Sequence, residues 1–208
     1  MTPDEFNNIQ YPYTKDEYTN APTPLFGTIW KSITLAPPPN NKQSLEELNE
    51  IMTLHNKYYR QYESTIVKHD IDNLEKHFIT LIIQSGNKLT DEQREFIEDI
   101  SSELTTIGAH YKNVFLRARP KQLFKALNYD FNPGAKTDKS PSYPSTHALI
   151  GHFIGNLLSS TYPQLHVQIQ HLANNLGKGR VIAGLHYPTD YYAGRWLADQ
   201  LMKIIKAK

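Results

Sequence analysis

Residues 144–159 read Pro-Ser-Thr-His-Ala-Leu-Ile-Gly-His-Phe-Ile-Gly-Asn-Leu-Leu-Ser, a nearly continuous apolar segment behind a serine that can cap a helix. A helix over Ser145–Ser159 would be apolar on almost every side, which predicts a central helix buried by its neighbours. The rest of the chain shows no strand alternation and no internal repeat. We therefore predict an all-α fold, a single compact bundle of about six to eight helices around this segment.

Apolar residues at helical spacing predict the other helices of the bundle. Ser44-Leu45-Glu46-Glu47 has the form of a capping box, and Thr90-Asp91-Glu92-Gln93 caps another helix in the same way. Pro163 and Pro188 each suit the first position of a helix. The expected helices are, in chain order, about residues 45–59, 66–86, 91–120, 121–127, 163–177 and 188–208.

The first 43 residues are rich in Pro, Asn, Thr and Tyr, including the run Pro37-Pro38-Pro39. This composition favours extended geometry, so we predict that residues 1–43 form an irregular arm, with one short helix near Leu25–Ile33. The arm is expected to pack on the body, residues 44–208, through its aromatic side chains: Tyr11, Tyr13, Tyr18, Phe26 and Trp30.

Composition excludes several classes of protein. The 208 residues contain no cysteine, which excludes a disulfide scaffold, a zinc ribbon and a cysteine nucleophile. The 22 basic and 21 acidic residues are nearly balanced, which argues against a nucleic-acid partner. The polar, acidic start lacks the order of a signal peptide, and no apolar segment approaches the ~20 residues that span a bilayer. We therefore expect no membrane span.

Three segments, each at a helix end, concentrate residues suited to chemistry. In the first, Lys112 and Arg119 are seven residues apart, so on one continuous helix they would share a face. An ammonium group and a guanidinium group on one face suit an anion with several oxygens. Alternatively, they form a basic last turn that complements the helix dipole.

The second segment is the start of the central helix. Ser145 can cap that helix, and the free N–H groups of the first turn, with Thr146, then form a cradle for an anion. His147 stands beside the cradle and could donate a proton. The alternative is a plain cap followed by a histidine that is satisfied within the core.

The third segment contains Arg180, His186 and Asp190. Asp190 could accept a hydrogen bond from one imidazole nitrogen of His186, which would leave the other nitrogen as a nucleophile or base. Alternatively, Asp190 only satisfies the N–H groups of its own helix. A His and an Asp four residues apart also match a metal-ligand spacing, but with no Cys and no His-Glu-x-x-His helix we expect no catalytic metal.

In order, the three segments read Lys-x6-Arg-Pro, Pro-Ser-x-His and Arg-x5-His-x3-Asp. This pattern resembles the three-part signature of the type 2 phosphatidic acid phosphatase superfamily. That superfamily also contains the bacterial class A nonspecific acid phosphatases and the vanadium haloperoxidases. Residues 142–147 and 184–195 look most like the class A acid phosphatases, and the likeness covers about residues 35–205.

The resemblance implies a metal-independent acid phosphatase that hydrolyses small phosphate monoesters, with residues 44–208 as the catalytic domain. It implies that His186 attacks phosphorus to form a phosphohistidine, that Asp190 orients His186, and that His147 is the general acid and base. The phosphate oxygens would be held by Lys112, Arg119, Ser145, Thr146 and Arg180. No cofactor is expected, and vanadate should inhibit.

The resemblance leaves other points open. It implies a periplasmic or secreted protein, although a cytoplasmic location stays open, and so does self-association into a homo-oligomer. The alternatives in function are a vanadate-dependent haloperoxidase and a non-catalytic helical bundle that binds phosphate. Thr146 stands where this family usually has Gly, and Gly179 stands where it usually has Ser. We assign Arg117, two residues before Arg119, to a different helix face and to a structural role.

Overall fold

One central helix, residues Thr146–Thr161, organises the molecule by packing against four other helices. The computed structural model describes residues 1–12, 21–69, 73–135 and 139–206. These residues form eight α-helices: α1 Pro3–Asn7, α2 Leu45–Lys68, α3 Glu75–Gln84, α4 Asp91–Phe115, α5 Pro120–Ala126, α6 Thr146–Thr161, α7 His166–Ile182 and α8 Pro188–Lys206. They contain no β-sheet, so the all-α prediction is confirmed.

Helix α6 is buried because its apolar residues cover several sides. Leu149, Phe153 and Ile154 are fully buried in the main core, against residues from α3, α4, α7 and α8. Gly155 lets α7 approach closely, because a Cβ at that position would lie 2.8 Å from the Cβ of Ala173. Within the described ranges, every helix is too short or too polar to traverse a lipid bilayer.

The N-terminal arm contributes to the core and is less irregular than its composition predicts. Phe26 and Trp30 are buried in the main core, and a 3-10 helix over Ile29–Ser32 lies within the region where a short helix was expected. Helix α1 was not predicted, although Thr2 and Glu5 form a capping box around it. Tyr13 and Tyr18 lie outside the described residues. The division at residue 43 stays a prediction.

Several helix boundaries differ from the predictions. Helix α2 continues past residue 59 to Lys68, so Ile66 belongs to α2, and α3 begins only at Glu75. Ser44 does not cap α2 with its side chain, because its hydroxyl donates to the Asn40 carbonyl and accepts from Arg117. Helix α7 follows a 3-10 turn at Pro163–Leu165 and continues past Gly177 to Ile182. Gly177 is a packing position rather than a helix end, since a Cβ there would lie 2.7 Å from the Tyr191 ring.

Helix α4 ends earlier than predicted, at Phe115 instead of near Pro120. The next residue, Leu116, has a left-handed backbone conformation with φ of 47°, which a leucine adopts rarely. The chain therefore leaves the helix before Arg117 and Arg119. The prediction that Lys112 and Arg119 share one helix face is wrong, and the same turn removes the helix face to which Arg117 was assigned.

Candidate active site

Lys112 and Arg119 approach the same region from two different elements. Lys112 lies in the last turn of α4, where its buried ammonium donates to the carbonyl of Pro141. Arg119 is the residue directly before α5; its Nε donates to the Ser140 carbonyl at 2.8 Å and its Nη1 to the Leu185 carbonyl at 2.9 Å. Burial, and then the charge of Arg119, lowers the pKa of Lys112 well below its usual value. The two cations therefore repel each other in a poorly solvated region.

The N-terminus of α6 is fixed to α8 through Ser145. The Ser145 hydroxyl accepts from the Ala148 amide at 3.3 Å, as predicted for a helix cap, and the Ser145 amide donates to the Asp190 carbonyl at 3.0 Å. This close approach requires Gly194 in α8, since a Cβ there would lie 2.4 Å from the Ser145 carbonyl oxygen. Thr146, partly exposed, directs its side chain towards Gly108 of α4.

His147 lies in the first turn of α6, among the positive charges. Its Nε2 is buried and has no hydrogen-bond partner among the described residues, although the residue as a whole is partly exposed. Burial lowers the pKa of His147 well below its usual value, and the charges of Arg180 and His186 lower it further. Without a bound anion, His147 is therefore held neutral.

The turn between α7 and α8 positions His186. The amides of Leu185 and His186 both donate to the carbonyl of Arg180, at 2.9 and 3.3 Å, which closes the end of α7. Gly184 adopts a φ of 76°, and a Cβ there would lie 2.2 Å from the Phe131 ring. A glycine is therefore required at this turn, two residues before the histidine.

The hydrogen bonds of His186 determine its tautomer. Its Nδ1 is 3.0 Å from Asp190 Oδ2, and its Nε2 is 3.2 Å from Nη1 of Arg119. A guanidinium group only donates, so Nε2 must accept and Nδ1 must carry the hydrogen that Asp190 receives. Burial and the nearby Arg119 lower the pKa of His186 well below its usual value, against the opposing effect of Asp190. The imidazole is thus neutral, with its lone pair on Nε2.

Asp190 is fully buried and both of its oxygens accept hydrogen bonds. Oδ2 accepts from the Tyr187 amide at 3.0 Å and from the Ser142 hydroxyl, in addition to His186. Oδ1 is 2.6 Å from Nη1 of Arg117. Burial would raise the pKa of Asp190, but Arg117 and the hydrogen bonds from His186 and Ser142 hold it well below its usual value.

Arg180 completes the set of buried cations from the last turn of α7. Its charge lowers the pKa of both His147 and Lys112, so Arg180 lies near both residues. The structure thus brings together, around the start of α6, the eight residues singled out in the sequence: Lys112, Arg119, Ser145, Thr146, His147, Arg180, His186 and Asp190.

The sequence interpretation missed two contacts of this site. Arg117 was assigned a role away from it, yet its guanidinium is ion-paired with Asp190. Ser142 belongs to a run whose likeness to the acid phosphatases was noted, but no role was given to its hydroxyl, which donates to Asp190. One signal was available for Arg117, since a buried Asp190 needs more than one hydrogen-bond donor to stay ionised.

No three or more His, Asp or Glu side chains among the described residues are close enough together to hold a metal ion.

Comparison with known proteins identifies the family of this chain. The sequence model of the PAP2 superfamily matches residues 100–204, half of the chain and all eight site residues, so the chain belongs to the PAP2 superfamily. The family resemblance predicted from the three motifs is confirmed.

Among individual proteins, the chain is similar to two bacterial phosphatases. It is 26% identical over 132 residues to the non-specific acid phosphatase of Salmonella typhimurium, covering 61% of this chain and 52% of that protein. It is 33% identical over 103 residues to the non-specific acid phosphatase of Providencia stuartii, covering 50% of this chain and 40% of that protein. The chain therefore spans about half the length of the curated relatives or less.

A solved structure supports the fold. The crystal structure of the first bacterial vanadium-dependent iodoperoxidase aligns with a TM-score of 0.64 and 14% identity, covering 84% of this chain and 52% of that chain. At this identity the likeness concerns the fold alone.

Proposed function

We propose that this protein is a metal-independent acid phosphatase that hydrolyses small phosphate monoesters through a phosphohistidine on His186. One observation carries the proposal: the imidazole of His186 is fixed with its Nε2 lone pair towards Arg119, by Asp190 on the opposite side. A nucleophile in this tautomer, facing a cation that can bind a phosphate oxygen, suits attack on phosphorus.

The phosphate group would bind where the positive charges meet. Lys112, Arg119 and Arg180 are all buried and close enough to perturb the site histidines or each other. A phosphate dianion relieves this repulsion, and the N-terminus of α6 adds backbone donors. Phosphoryl transfer needs mainly positioning and charge stabilisation, so these fixed cations can take the place of a metal ion.

In the first step, Nε2 of His186 attacks phosphorus as the bond to the ester oxygen breaks. The bonding electron pair leaves with that oxygen, which takes a proton from His147 and departs as the alcohol. The ionised Asp190 stabilises the positive charge that develops on His186.

In the second step, water attacks phosphorus and gives a proton to His147. The phosphorus–nitrogen bond breaks, its electrons return to Nε2, and inorganic phosphate leaves. While phosphate is still bound, His147 is protonated and Nε2 of His186 is free again, as they were in the substrate complex.

The two histidines need opposite protonation states, so a bell-shaped dependence of activity on pH is expected. His186 satisfies its requirement because its pKa is lowered and it is neutral. The pKa of His147 is also lowered, by burial and by surrounding cations. A bound phosphate dianion offsets those cations and raises the pKa of His147, so the optimum falls on the acidic side.

The test is hydrolysis of a generic aryl phosphate by the wild type and by His186→Ala, each with and without a chelator. We expect hydrolysis that resists the chelator and is abolished by the substitution, with a phosphoenzyme trapped only in the wild type. His166→Ala is the matched control, since His166 is exposed at the start of α7. Hydrolysis that requires an added divalent metal, or that survives in His186→Ala, would overturn the proposal.

The fold likeness to an iodoperoxidase favours one alternative, a vanadate-dependent haloperoxidase. Vanadate is tetrahedral like phosphate and would meet the same cations. Our proposal predicts that vanadate inhibits hydrolysis, whereas the alternative predicts halide oxidation when vanadate and peroxide are added. A third outcome, phosphate binding without hydrolysis, would indicate a non-catalytic member of the family.

A periplasmic or secreted location is part of the proposal and rests on the family resemblance alone.

A further inference from the structure

A buried guanidinium contacts the His186–Asp190 pair at the Asp190 oxygen that does not face His186. Nη1 of Arg117 is 2.6 Å from Oδ1 of Asp190, and Nη2 is 2.7 Å from Oε2 of Glu47 in the first turn of α2. Arg117 also lies over the ring of Tyr187, with 3.8 Å between Cζ and the ring centroid. One side chain thus joins α2, the segment after α4 and the start of α8.

The two oxygens of Asp190 have separate partners as a result. Oδ1 is taken by Arg117, and Oδ2 receives the Nδ1–H of His186, the Tyr187 amide and the Ser142 hydroxyl. A carboxylate held on both oxygens cannot rotate without breaking an ion pair or several hydrogen bonds. The orientation of Oδ2 towards the imidazole is therefore coupled to Arg117.

Glu47 holds Arg117 in turn. Its Oε1 accepts from the amide and the hydroxyl of Thr189, at 2.8 and 2.7 Å, while its Oε2 faces Arg117. Asp190, Arg117 and Glu47 together carry one net negative charge. That charge favours the positive charge that forms on the imidazole of His186 when it bonds to phosphorus.

We propose that Arg117 is a positioning residue, which with Glu47 keeps Asp190 ionised and aimed at His186 so that Nε2 stays available for attack. This inference rests on the proposed function. Arg117 does not reach the reacting atoms; it acts through Asp190.

The charges around Asp190 support this assignment. The titratable groups that act on it or respond to it are Arg117, His186, Lys112, Tyr143 and Tyr187, with Glu47 reaching it through Arg117. The Ser142 hydroxyl acts on it through its hydrogen bond. Arg117 is the largest influence that favours the ionised carboxylate, against burial. Without Arg117 the pKa of Asp190 rises, and a protonated Asp190 no longer requires the hydrogen on Nδ1 of His186.

The test compares two variants. Arg117→Met keeps an unbranched side chain but removes the charge, and Arg117→Lys keeps the charge but has no second nitrogen to contact Asp190 and Glu47 separately. For Arg117→Met we expect kcat to fall by about tenfold to a hundredfold, with KM changed by less than about threefold. The acid limb of the kcat/KM profile should move to higher pH, because activity requires an ionised Asp190 as well as a neutral His186, and the pKa of Asp190 rises without Arg117. Arg117→Lys should restore part of kcat, and the acid limb should lie between its positions in the wild type and in Arg117→Met.

Two controls separate this role from general destabilisation. Asp199→Asn breaks another ion pair of α8, with His152, that does not touch Asp190, and it should leave the acid limb in place. In an Asp190→Asn background, Arg117→Met should have little further effect, because the residue through which it acts is already lost. If Arg117→Met lowered kcat by the same factor in the Asp190→Asn background as in the wild type, the proposal would be overturned.

A readout without substrate separates this proposal from the proposed function. Imidazole 15N resonances, with His186 assigned by its loss in His186→Asn, report the tautomer directly. In the wild type we expect Nδ1–H at pH 6 to 8, and in Arg117→Met a mixture of tautomers or a protonated ring. This comparison holds even if the wild type hydrolyses nothing, a result that would defeat only the proposed function.

Unchanged resonances and an unchanged acid limb in Arg117→Met, with only a lower melting temperature, would show a purely structural role. If Arg117→Met does not fold, Glu47→Gln replaces it. That variant keeps the shape of Glu47 but weakens its hold on Arg117, and a smaller shift in the same direction is then expected.

Discussion

The hydroxyl of Tyr187 is buried without a hydrogen-bond partner among the described residues, one position after the proposed nucleophile. Burial raises the pKa of this hydroxyl well above its usual value, so it stays neutral. The contribution of Tyr187 to the site is its ring, which stacks on Arg117, and its amide, which donates to Asp190.

Tyr187→Phe should therefore keep both contributions and remove the unsatisfied hydroxyl. We expect the free energy of unfolding to stay equal or to rise by about 1 kcal/mol, since an unpartnered buried polar group costs about that much or more. Urea unfolding of both proteins measures this. A loss of more than about 1 kcal/mol would show that the hydroxyl has a partner, such as a buried water.

At the residue scale, sequence spacing alone suggested the pairing of His186 with Asp190, because a separation of four residues at a helix start brings the side chains together. It did not find the role of Arg117. That error came from the backbone: Leu116 turns the chain out of α4 with a positive φ, and leucine gives no sequence signal for such a turn. Glu47 could not be predicted as its partner, since 70 residues separate them.

Glycines inside the helices set how closely the elements of the site approach each other. Gly194 lies in α8 where the Ser145 carbonyl passes, and its missing Cβ would be 2.4 Å from that oxygen. Gly179 lies in α7, where a Cβ would be in ordinary contact, 3.5 Å from Cγ1 of Ile66. The two positions differ in packing, although both are helical glycines.

Alanine should therefore have opposite effects at the two positions. Gly194→Ala forces α6 and α8 apart, and we expect a loss of about 1–3 kcal/mol in unfolding free energy and weaker phosphate binding. Gly179→Ala should be neutral or stabilising by up to about 1 kcal/mol, since alanine favours the helix. Thermal or urea unfolding and phosphate titration compare the pair. A tolerated Gly194→Ala would contradict the close packing of α6 against α8.

The helices were predicted better than their ends. Apolar periodicity and the Thr90 capping box located α4 and α6, because both signals are local in sequence. Ser44 was wrongly predicted to cap α2, because Arg117, which is distant in sequence, donates to the hydroxyl that would have been the cap. Gly177 was wrongly predicted to end α7, because it lies inside the helix where α7 packs closely against Tyr191. Tertiary contacts overrode the local signal in both cases.

For the molecule as a whole, several buried histidines are held neutral in the folded state. Burial lowers the pKa of His69, at the end of α2, from 6.5 to about 4, with smaller effects from His77, Lys68 and Arg180. His147 and His186 have pKa values lowered in the same direction. The unfolded chain therefore binds more protons than the folded chain at mildly acidic pH.

This difference in bound protons makes the stability of the fold depend on pH. Between pH 6.5 and about 4, protonation of His69 favours the unfolded state, so stability falls as the pH falls. One group with this shift contributes about 1.4 kcal/mol per pH unit. His69→Gln should reduce the slope of unfolding free energy against pH by up to the contribution of this one group. Urea unfolding at pH 4.5, 5.5 and 6.5 measures the slope.

The exposed His166, substituted in the same way, should leave that slope unchanged. An equal slope in the wild type and His69→Gln would show that His69 is not held neutral by the fold.

The first residues of the chain lie far outside the family match, yet their backbone pairs with the segment that carries Arg117. The Tyr11 amide donates to the Leu116 carbonyl at 2.9 Å, and Gln10 pairs with Arg117. Glu103, buried in α4, accepts the amides of Leu25 and Phe26. A protein shortened to residues 100–204 would lose these backbone contacts to the turn after α4, and the buried Glu103 carboxylate would lose both amide donors. The folded unit therefore extends beyond the residues that the family model matches.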